Sequence, residues 1–419
     1  MSPAHAVDEV TQRLNEAGFQ RFEERSTWSF QPGHRLYVTR GTGSVVAVQT
    51  GLLPPSDAGF VIIGAHTDSP NLRLRPQFNA KSQGHALLSV EPYGSPLLHT
   101  WLDRDLGVAG TVVVSGVGAV LVRSPEPVAR VSSLAVHLNR DVNRQGLKLE
   151  PQTQLRPTVA LEAPEESPSA LWDVILAELS QTLSRTICLQ DVLLFELGLF
   201  DIEGARLLGA RKELLASGRL DNLVSCHAAL CALLSAQPIG NATRVFVLYD
   251  HEEVGSRSNS GAQSTFLSDV LSRLAEAASP SDKEASARSL ARSLLLSADM
   301  AHAVHPNHTD KHDEQHCPKL GGGPALKTNV NQSYASDLEA MSALARAASV
   351  AKVTLQRFVS RNDIPCGSTI GPIAAARLGL RVTDIGNPML SMHSCREVMA
   401  VADIEPYINV MRAWFEMEP

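Results

Sequence analysis

Two adjacent carboxylates, Glu252 and Glu253, come shortly after an apolar run at residues 245–249. The β-branched and aromatic residues of this run predict a buried strand. Two carboxylates at the end of such a strand are unfavourable, because burial and their like charges raise the pKa of both. A metal cation would remove that cost. Neighbouring side chains of an extended chain point to opposite sides, so one Glu could bind a metal while the other moves a proton on water. A solvated turn is the commoner explanation of an isolated Glu-Glu pair.

Similar polar residues follow or lie near other apolar runs. His66 follows residues 59–65, Asp299 follows residues 294–298, and His393 lies near a short run close to the C-terminus. In open α/β sheets, ligands bind at the carboxyl ends of the strands. Asp221 opens a predicted helix, where an N-cap is its ordinary role. These positions predict that the side chains meet at one edge of a sheet.

Carboxylates and imidazoles without thiolates suit a hydrolytic zinc, cobalt or manganese centre. Two metal ions about 3.5–4 Å apart need a bridging carboxylate and further ligands. Asp221 could bridge, with His66 and Asp299 on one ion and Glu253 and His393 on the other, although the division of ligands stays open. Glu252 would then remain free to act as the general base on water.

Three other positions allow both a functional and a structural interpretation. His137 lies among apolar residues, where a buried structural histidine is the simpler explanation. Lys327 precedes Asn329, Asn331 and Tyr334, and an exposed lysine is its ordinary interpretation. Five histidines lie between residues 302 and 316, but Pro306 interrupts any helix and the spacings fit no common zinc finger. We expect His302 and His305 to support the surroundings of Asp299.

The composition restricts the class of protein. With 419 residues, of which 44% are hydrophobic, the chain can form two or three domains with a large core. The net charge of −7 argues against general nucleic-acid binding. The six cysteines form no Cys-x-x-Cys pair, so we expect free thiols in a reducing compartment. We find neither a signal peptide nor an apolar run long enough to span a membrane, and we predict a cytoplasmic protein.

The pattern of elements predicts a mixed α/β sheet flanked by helices, interrupted by a β-rich insertion. Short strands separated by Gly, Ser and Pro turns dominate from about residue 75 to residue 209, whereas helical patterns return at residue 221. The predicted divisions are a catalytic part at 1–76, the insertion at 77–208, and a second catalytic part at 209–419.

Five segments of the chain resemble those of the aspartyl aminopeptidases. They occur in the same order and extend across nearly the whole sequence: Ala65-His66-Thr67-Asp68-Ser69-Pro70, Asp250-His251-Glu252-Glu253-Val254-Gly255-Ser256, Asp299-Met300-Ala301-His302-Ala303-Val304-His305-Pro306-Asn307, Cys366-Gly367-Ser368-Thr369-Ile370-Gly371-Pro372 and Ser391-Met392-His393-Ser394-Cys395-Arg396-Glu397.

The resemblance implies an enzyme that removes N-terminal Asp or Glu from peptides. It implies an α/β catalytic domain with an inserted β-rich dimerisation domain, and large closed homo-oligomers, typically dodecamers. Glu252 would be the general base, and His137 would reach into a neighbouring subunit to hold the carbonyl oxygen, unless it binds metal. The implied metal ligands are His66, Asp221, Glu253, Asp299 and His393, and the implied substrate contacts are Lys327, His137, Met392, Gly367 and Ser368.

Two alternatives remain open at this point. The same two-metal hydrolase could act on a different substrate, either as an aminopeptidase for neutral N-terminal residues or as a deacylase. The chain could also be a non-catalytic scaffold that retains the fold.

Overall fold

The computed structural model describes residues 1–161 and 169–419. Its strands, in chain order, are β1 Gln20–Arg21, β2 Arg35–Arg40, β3 Ser44–Gln49, β4 Phe60–His66, β5 Asn71–Ser82, β6 His85–Tyr93, β7 Leu106–Val114, β8 Gly118–Arg123, β9 Thr158–Leu161, β10 Val192–Asp201, β11 Arg206–Leu208, β12 Leu214–Ser217, β13 Thr243–Tyr249, β14 Leu294–Ala298, β15 Ala301–His302, β16 Ala325–Lys327, β17 Gln356–Phe358, β18 Arg381–Gly386, β19 Pro388–Leu390 and β20 Glu397–Ala400.

The helices alternate with these strands in most of the chain. They are α1 Pro3–Glu16, α2 Pro55–Ala58, α3 Val142–Gln145, α4 Pro151–Gln154, α5 Ala170–Leu183, α6 Leu220–Ser235, α7 Phe266–Ala278, α8 Ala285–Ala291, α9 Leu338–Val350, α10 Ile370–Leu378 and α11 Ile404–Phe415. Within the described ranges, no helix is both long and apolar enough to cross a bilayer.

The largest sheet has the strand order β1-β2-β3-β13-β4-β14-β18-β16-β17 among the described residues. At its centre, β4 is parallel to both β13 and β14, and β14 is parallel to β18. Strand β13 also pairs antiparallel with β3, so the sheet is mixed. The carboxyl ends of β13, β4 and β14 therefore lie side by side at one edge.

Helices cover both faces of this sheet. Along β4, Val61 and Ile63 pack into a core with α1, α6, α9 and α11, whereas Phe60 and Ile62 pack into a core with α7 and α10. This burial on both sides explains why the central strands read as continuous apolar runs rather than as alternating patterns.

The described part of the chain also contains two smaller sheets. One has the order β8-β7-β10-β5-β6-β9, and α5 packs on it through Leu171, Ile175 and Leu179. The other has the order β11-β12-β20-β19-β15. It carries the C-terminal segment that contains His393, between β19 and β20.

The mixed α/β architecture predicted from the sequence is confirmed, and the central strands lie within a residue or two of the predicted runs. Strand β5 crosses position 76, where the sequence analysis placed the first division. It pairs with β6 and β10, so its whole length lies in the six-stranded sheet. The three-part division of the chain remains a prediction.

Candidate metal centre

The three parallel central strands deliver polar residues to one edge of the large sheet. His66 is the last residue of β4, and Asp299 directly follows β14. Glu252 and Glu253 occupy a short 3-10 turn just after β13. Because the strands are parallel neighbours, their carboxyl ends bring these side chains together.

Asp221 and His393 join this cluster from other elements. Helix α6 begins at Leu220 with Arg219 at the N-cap, and Asp221 has a non-helical backbone in its first turn. The expected N-cap role of Asp221 is therefore wrong. His393 lies in the loop between β19 and β20 with a φ of 66°.

One half of the cluster is formed around His66. Its Nε2 lies 3.5 Å from Oδ1 of Asp221 and 3.4 Å from Oδ1 of Asp299. Its Nδ1 lies 3.0 Å from the carbonyl oxygen of Asp68. A carbonyl only accepts a hydrogen bond, so Nδ1 donates it, and Nε2 is the ring nitrogen that faces the carboxylates, as in histidine metal ligands.

The other half is formed around His393 in the same way. Its Nε2 lies 3.6 Å from Oδ2 of Asp221 and 3.2 Å from Oε2 of Glu253, and its Nδ1 lies 3.2 Å from the carbonyl oxygen of Ser95. Asp221 thus presents one oxygen to each imidazole. This is the arrangement expected of a bridging carboxylate.

Asp68 holds the Glu252–Glu253 turn against His66. It is completely buried. Its Oδ1 accepts the N–H of Glu252 at 3.0 Å, and its Oδ2 accepts the N–H of Glu253 at 3.1 Å and the hydroxyl of Tyr93 at 2.6 Å. The sequence analysis gave Asp68 no role, although the His-x-Asp spacing was the available signal.

The charges of the cluster are incompletely balanced by the chain. Burial, together with nearby carboxylates, raises the pKa of Glu252 to about 7 and the pKa of Glu253 well above its usual value. Burial lowers the pKa of His66, but the surrounding carboxylates outweigh burial and raise it well above normal. All three shifts favour the protonated form, as expected where buried carboxylates are crowded together.

The donor atoms fit a metal cation. Within residues 1–161 and 169–419, the buried Oδ1 of Asp221 and Oε1 of Glu253 have no hydrogen-bond donor. Two groups of three ligand atoms, each within 4.8 Å of one another, share Asp221: His66 with Asp299, and Glu253 with His393. A third group joins His66, Glu252 and Glu253. Buried carboxylate oxygens that lack a hydrogen-bond donor are suitable ligands for a divalent cation.

The six-stranded sheet also reaches this edge. The turn after β6 places Gly94 against Glu253: a Cβ at Gly94 would meet Cβ of Glu253 at 2.7 Å. The next residue, Ser95, supplies the carbonyl that holds His393. The region predicted as an insertion therefore helps to build the cluster.

Lys327 is buried beside the cluster, so the alternative of an exposed lysine is wrong. Its Nζ lies 3.3 Å from Oδ2 of Asp299, 3.2 Å from the carbonyl of Asp299 and 3.1 Å from the carbonyl of Met300. These contacts use its three hydrogens. The ammonium also stands 4.7 Å from the ring centre of Tyr334.

A cavity of about 330 Å³ is lined in part by Tyr334, the ring that Lys327 contacts. Most of the ionisable side chains that line it are basic or imidazole groups, with one carboxylate among them: His302, Lys311, His312, His316, Arg361 and Asp313. Gly367 also lines it.

Ser368 is exposed just before helix α10, and Met392 is half-buried beside His393.

His137 stands apart from the cluster. It lies in a short 3-10 turn, Val136–Leu138, whose three residues are all exposed. Leu134 is 63% exposed and Leu138 is 75% exposed. The simpler interpretation of a buried structural histidine is therefore wrong.

Known proteins resemble the chain over nearly its whole length. The family model for "Aminopeptidase I zinc metalloprotease (M18)" matches residues 1–415. The chain belongs to the M18 aminopeptidase family. It is thus a hydrolase of the metalloprotease class, as the resemblance implied.

M18 relatives match this chain almost from end to end. A probable M18 family aminopeptidase 2 from Azotobacter vinelandii is 44% identical and is aligned over 99% of this chain and 95% of its own length. The structure of an Ape4–Nbr1 complex contains a chain that is 37% identical, with a TM-score of 0.95 and coverage of 99% of this chain and 83% of that one. A structure described as the "S. cerevesiae mApe1 dodecamer" is 26% identical, with a TM-score of 0.82 and coverage of 99% and 93%.

Proposed function

We propose that this M18 chain removes acidic N-terminal residues from peptides at a centre of two divalent cations, zinc being the preferred ion. The observation that carries the two-metal proposal is the sharing of Asp221 between two sets of ligand atoms. His66 and Asp299 would hold one cation with Asp221, and Glu253 and His393 would hold the other. When bound, the cations would polarise the scissile carbonyl and acidify water.

The chain's own residues divide the remaining work. Glu252 has a side chain 14% exposed and lies outside both sets that share Asp221. It would take the proton of the attacking water and pass it to the leaving amine. Asp68 would hold the backbone of Glu252 and Glu253, so that both carboxylates keep their positions during the reaction.

Acidic specificity is supported by the cavity beside the cluster. Its imidazoles, Lys311 and Arg361 offer hydrogen-bond donors to a side chain that ends in a carboxylate. That carboxylate would compete with Asp310 for Lys311 and with Asp363 for Arg361. One observation favours the alternative of a neutral side chain: the three hydrogens of Lys327 are already engaged by Asp299 and Met300. Lys327 would have to give up one of these bonds to meet a substrate carboxylate.

We propose that the enzyme assembles from dimers into a dodecamer, and that His137 completes the site of a neighbouring subunit. An exposed imidazole between exposed leucines is suited to insertion into another copy of the chain. There, His137 would donate a hydrogen bond to the carbonyl oxygen as negative charge develops on it.

The free cysteines fit the reducing cytoplasm predicted from the sequence.

A substrate panel tests the proposed activity. The purified protein would be stripped with a chelator, reloaded with zinc, cobalt or manganese, and assayed on the anilides of Asp, Glu, Leu and Lys. We expect no turnover without metal, and turnover of Asp and Glu after reloading. Preference for Leu would overturn acidic specificity and keep the hydrolase, whereas inactivity on every substrate after reloading would favour the scaffold.

A further inference from the structure

Glu397, in strand β20, contacts the backbones of two cluster residues. It belongs to neither proposed set of metal ligands. It is 1% exposed. Its Oε2 accepts the backbone N–H of Asp221 at 3.1 Å, and its Oε1 accepts the backbone N–H of His393 at 2.8 Å. One carboxylate therefore joins the backbones of two residues that approach the cluster from different elements.

Both backbones lie in irregular segments where a regular ladder of hydrogen bonds does not hold them. Asp221 has φ −80° and ψ 107°, outside the helical region. His393 has a φ of 66°, in the left-handed region that non-glycine residues adopt only when their surroundings fix it. A buried N–H needs an acceptor, and a carboxylate is a stronger acceptor than a neutral carbonyl.

The contacts of Glu397 are concentrated in one half of the cluster. Asp221 and His393 belong, with Glu253, to the same group of possible metal ligands. The other half has a separate support, because His66 is held by the carbonyl of Asp68. A change at Glu397 would therefore displace two ligands of the Glu253 half and only the shared Asp221 of the His66 half.

We propose that Glu397 is a positioning residue that sets the affinity of the Asp221–Glu253–His393 half of the centre for its cation. This assignment rests on the two-metal function proposed above. By fixing two backbones with one side chain, Glu397 holds Asp221 and His393 at the separation that a common cation requires. Residues that orient metal ligands in this way typically contribute about 10- to 100-fold to metal affinity.

Asp403 provides a matched control. It is completely buried, and its two carboxylate oxygens accept the N–H groups of Gly321 and Gly323 at 2.8 Å each. The chemistry is that of Glu397, a buried carboxylate across two backbone donors, but the donors belong to a loop rather than to cluster residues. Asp403→Asn and Glu397→Gln each replace one acceptor oxygen by an amide that cannot accept.

The test is a zinc titration of the stripped wild-type protein, Glu397→Gln and Asp403→Asn against a chromophoric chelator, with urea unfolding of each variant in parallel. We expect two binding steps in the wild type and unchanged constants in Asp403→Asn. In Glu397→Gln we expect one step to weaken about 10- to 100-fold and the other to change by only a few-fold. Both variants would lose stability.

The outcomes distinguish failure of the proposed role of Glu397 from failure of the proposed two-metal centre. A wild type that binds two ions, together with a Glu397→Gln variant of unchanged constants, overturns the role of Glu397 alone. Equal weakening of both steps, matched by Asp403→Asn, would also overturn it, since it would reflect general loosening. A wild type that binds fewer than two ions overturns the two-metal centre and with it this assignment. If Glu397→Gln fails to fold, Glu397→Asp, which keeps the charge and withdraws the oxygens, goes through the same titration with the same criteria.

Discussion

The cluster around Asp221 and the segment around His137 position histidines in opposite ways. His66 is 2% exposed, and a hydrogen bond to the carbonyl of Asp68 orients its ring. His137 is exposed, and so are Leu134 and Leu138 beside it. The first arrangement is complete within a single chain. We propose that the second gains a fixed position only when His137 enters a neighbouring subunit, as the family resemblance implies.

The difference also separates two kinds of contribution to catalysis. The buried cluster would bind the cations and supply the base whether or not chains associate. The exposed segment would add its hydrogen bond only in the assembled enzyme. Metal content and activity should therefore respond differently to changes in the two regions.

Loss of the shared ligand should have the largest effect. Asp221→Ala removes an oxygen from both halves of the cluster. We expect both cations to be lost and kcat/KM to fall by about 10³-fold or more, equal to roughly 4 kcal/mol of transition-state stabilisation. Elemental analysis and anilide turnover measure this, with the exposed Asp57→Ala as the control. Full metal content in Asp221→Ala would contradict a bridging role.

Loss of the base should leave metal binding intact. Glu252→Gln keeps the shape of the side chain but cannot accept the proton of water. We expect two ions per chain and a kcat lower by at least about 10²-fold. The exposed Glu405→Gln is the matched control, and it should retain full activity. If Glu252→Gln keeps the wild-type kcat, another residue is the base.

Loss of the exposed imidazole tests the contrast between the two regions. We expect His137→Ala to bind metal normally and to lose about 10²-fold in kcat, the usual effect of removing a donor to the developing oxyanion. His85→Ala, an exposed histidine in β6, should be unaffected.

Mixing inactive variants extends this test. Subunits of His137→Ala supply an intact Glu252, and subunits of Glu252→Gln supply an intact His137. If His137 acts across subunits, reassembly of a mixture should restore part of the activity that neither variant has. An unrestored mixture, with exchange of subunits confirmed by mass, would place the action of His137 within its own chain.

The last expected effect concerns the stability of the large sheet rather than catalysis. Asp384 in β18 is completely buried, and burial raises its pKa to about 6. The folded state then holds this proton more tightly than the unfolded state does. The contribution of Asp384 to the free energy of unfolding should fall as pH rises from about 4 to about 6, by roughly 2–3 kcal/mol. Urea unfolding across this range should give a flatter profile for Asp384→Asn. An unchanged slope would show that Asp384 ionises as readily folded as unfolded.

The sequence was sufficient to predict the central strands and the polar residues at their ends. The apolar runs at β4, β13 and β14 are local patterns, and parallel pairing then brings their ends together. Other features depend on contacts between distant parts of the chain. Glu397 accepts a hydrogen bond from Asp221 across 176 positions, and Lys327 lies beside Asp299 in a strand that pairs with β18. The spacing of apolar residues along the sequence does not show which distant residues come into contact.

The exposure of His137 is a second feature that local sequence patterns could not predict. Apolar neighbours suggested a buried histidine, because a hydrophobic pattern does not distinguish a core from a surface that another subunit covers. The family resemblance supplied the second interpretation, and the exposed leucines agree with it.

A crystal structure of the zinc-loaded protein, with anomalous scattering recorded at the zinc edge, tests the central claim most directly. The account predicts two anomalous peaks about 3.5–4 Å apart. One peak should lie between His66 and Asp299 and the other between Glu253 and His393, with Asp221 contacting both. A single peak, or peaks away from Asp221, would contradict it.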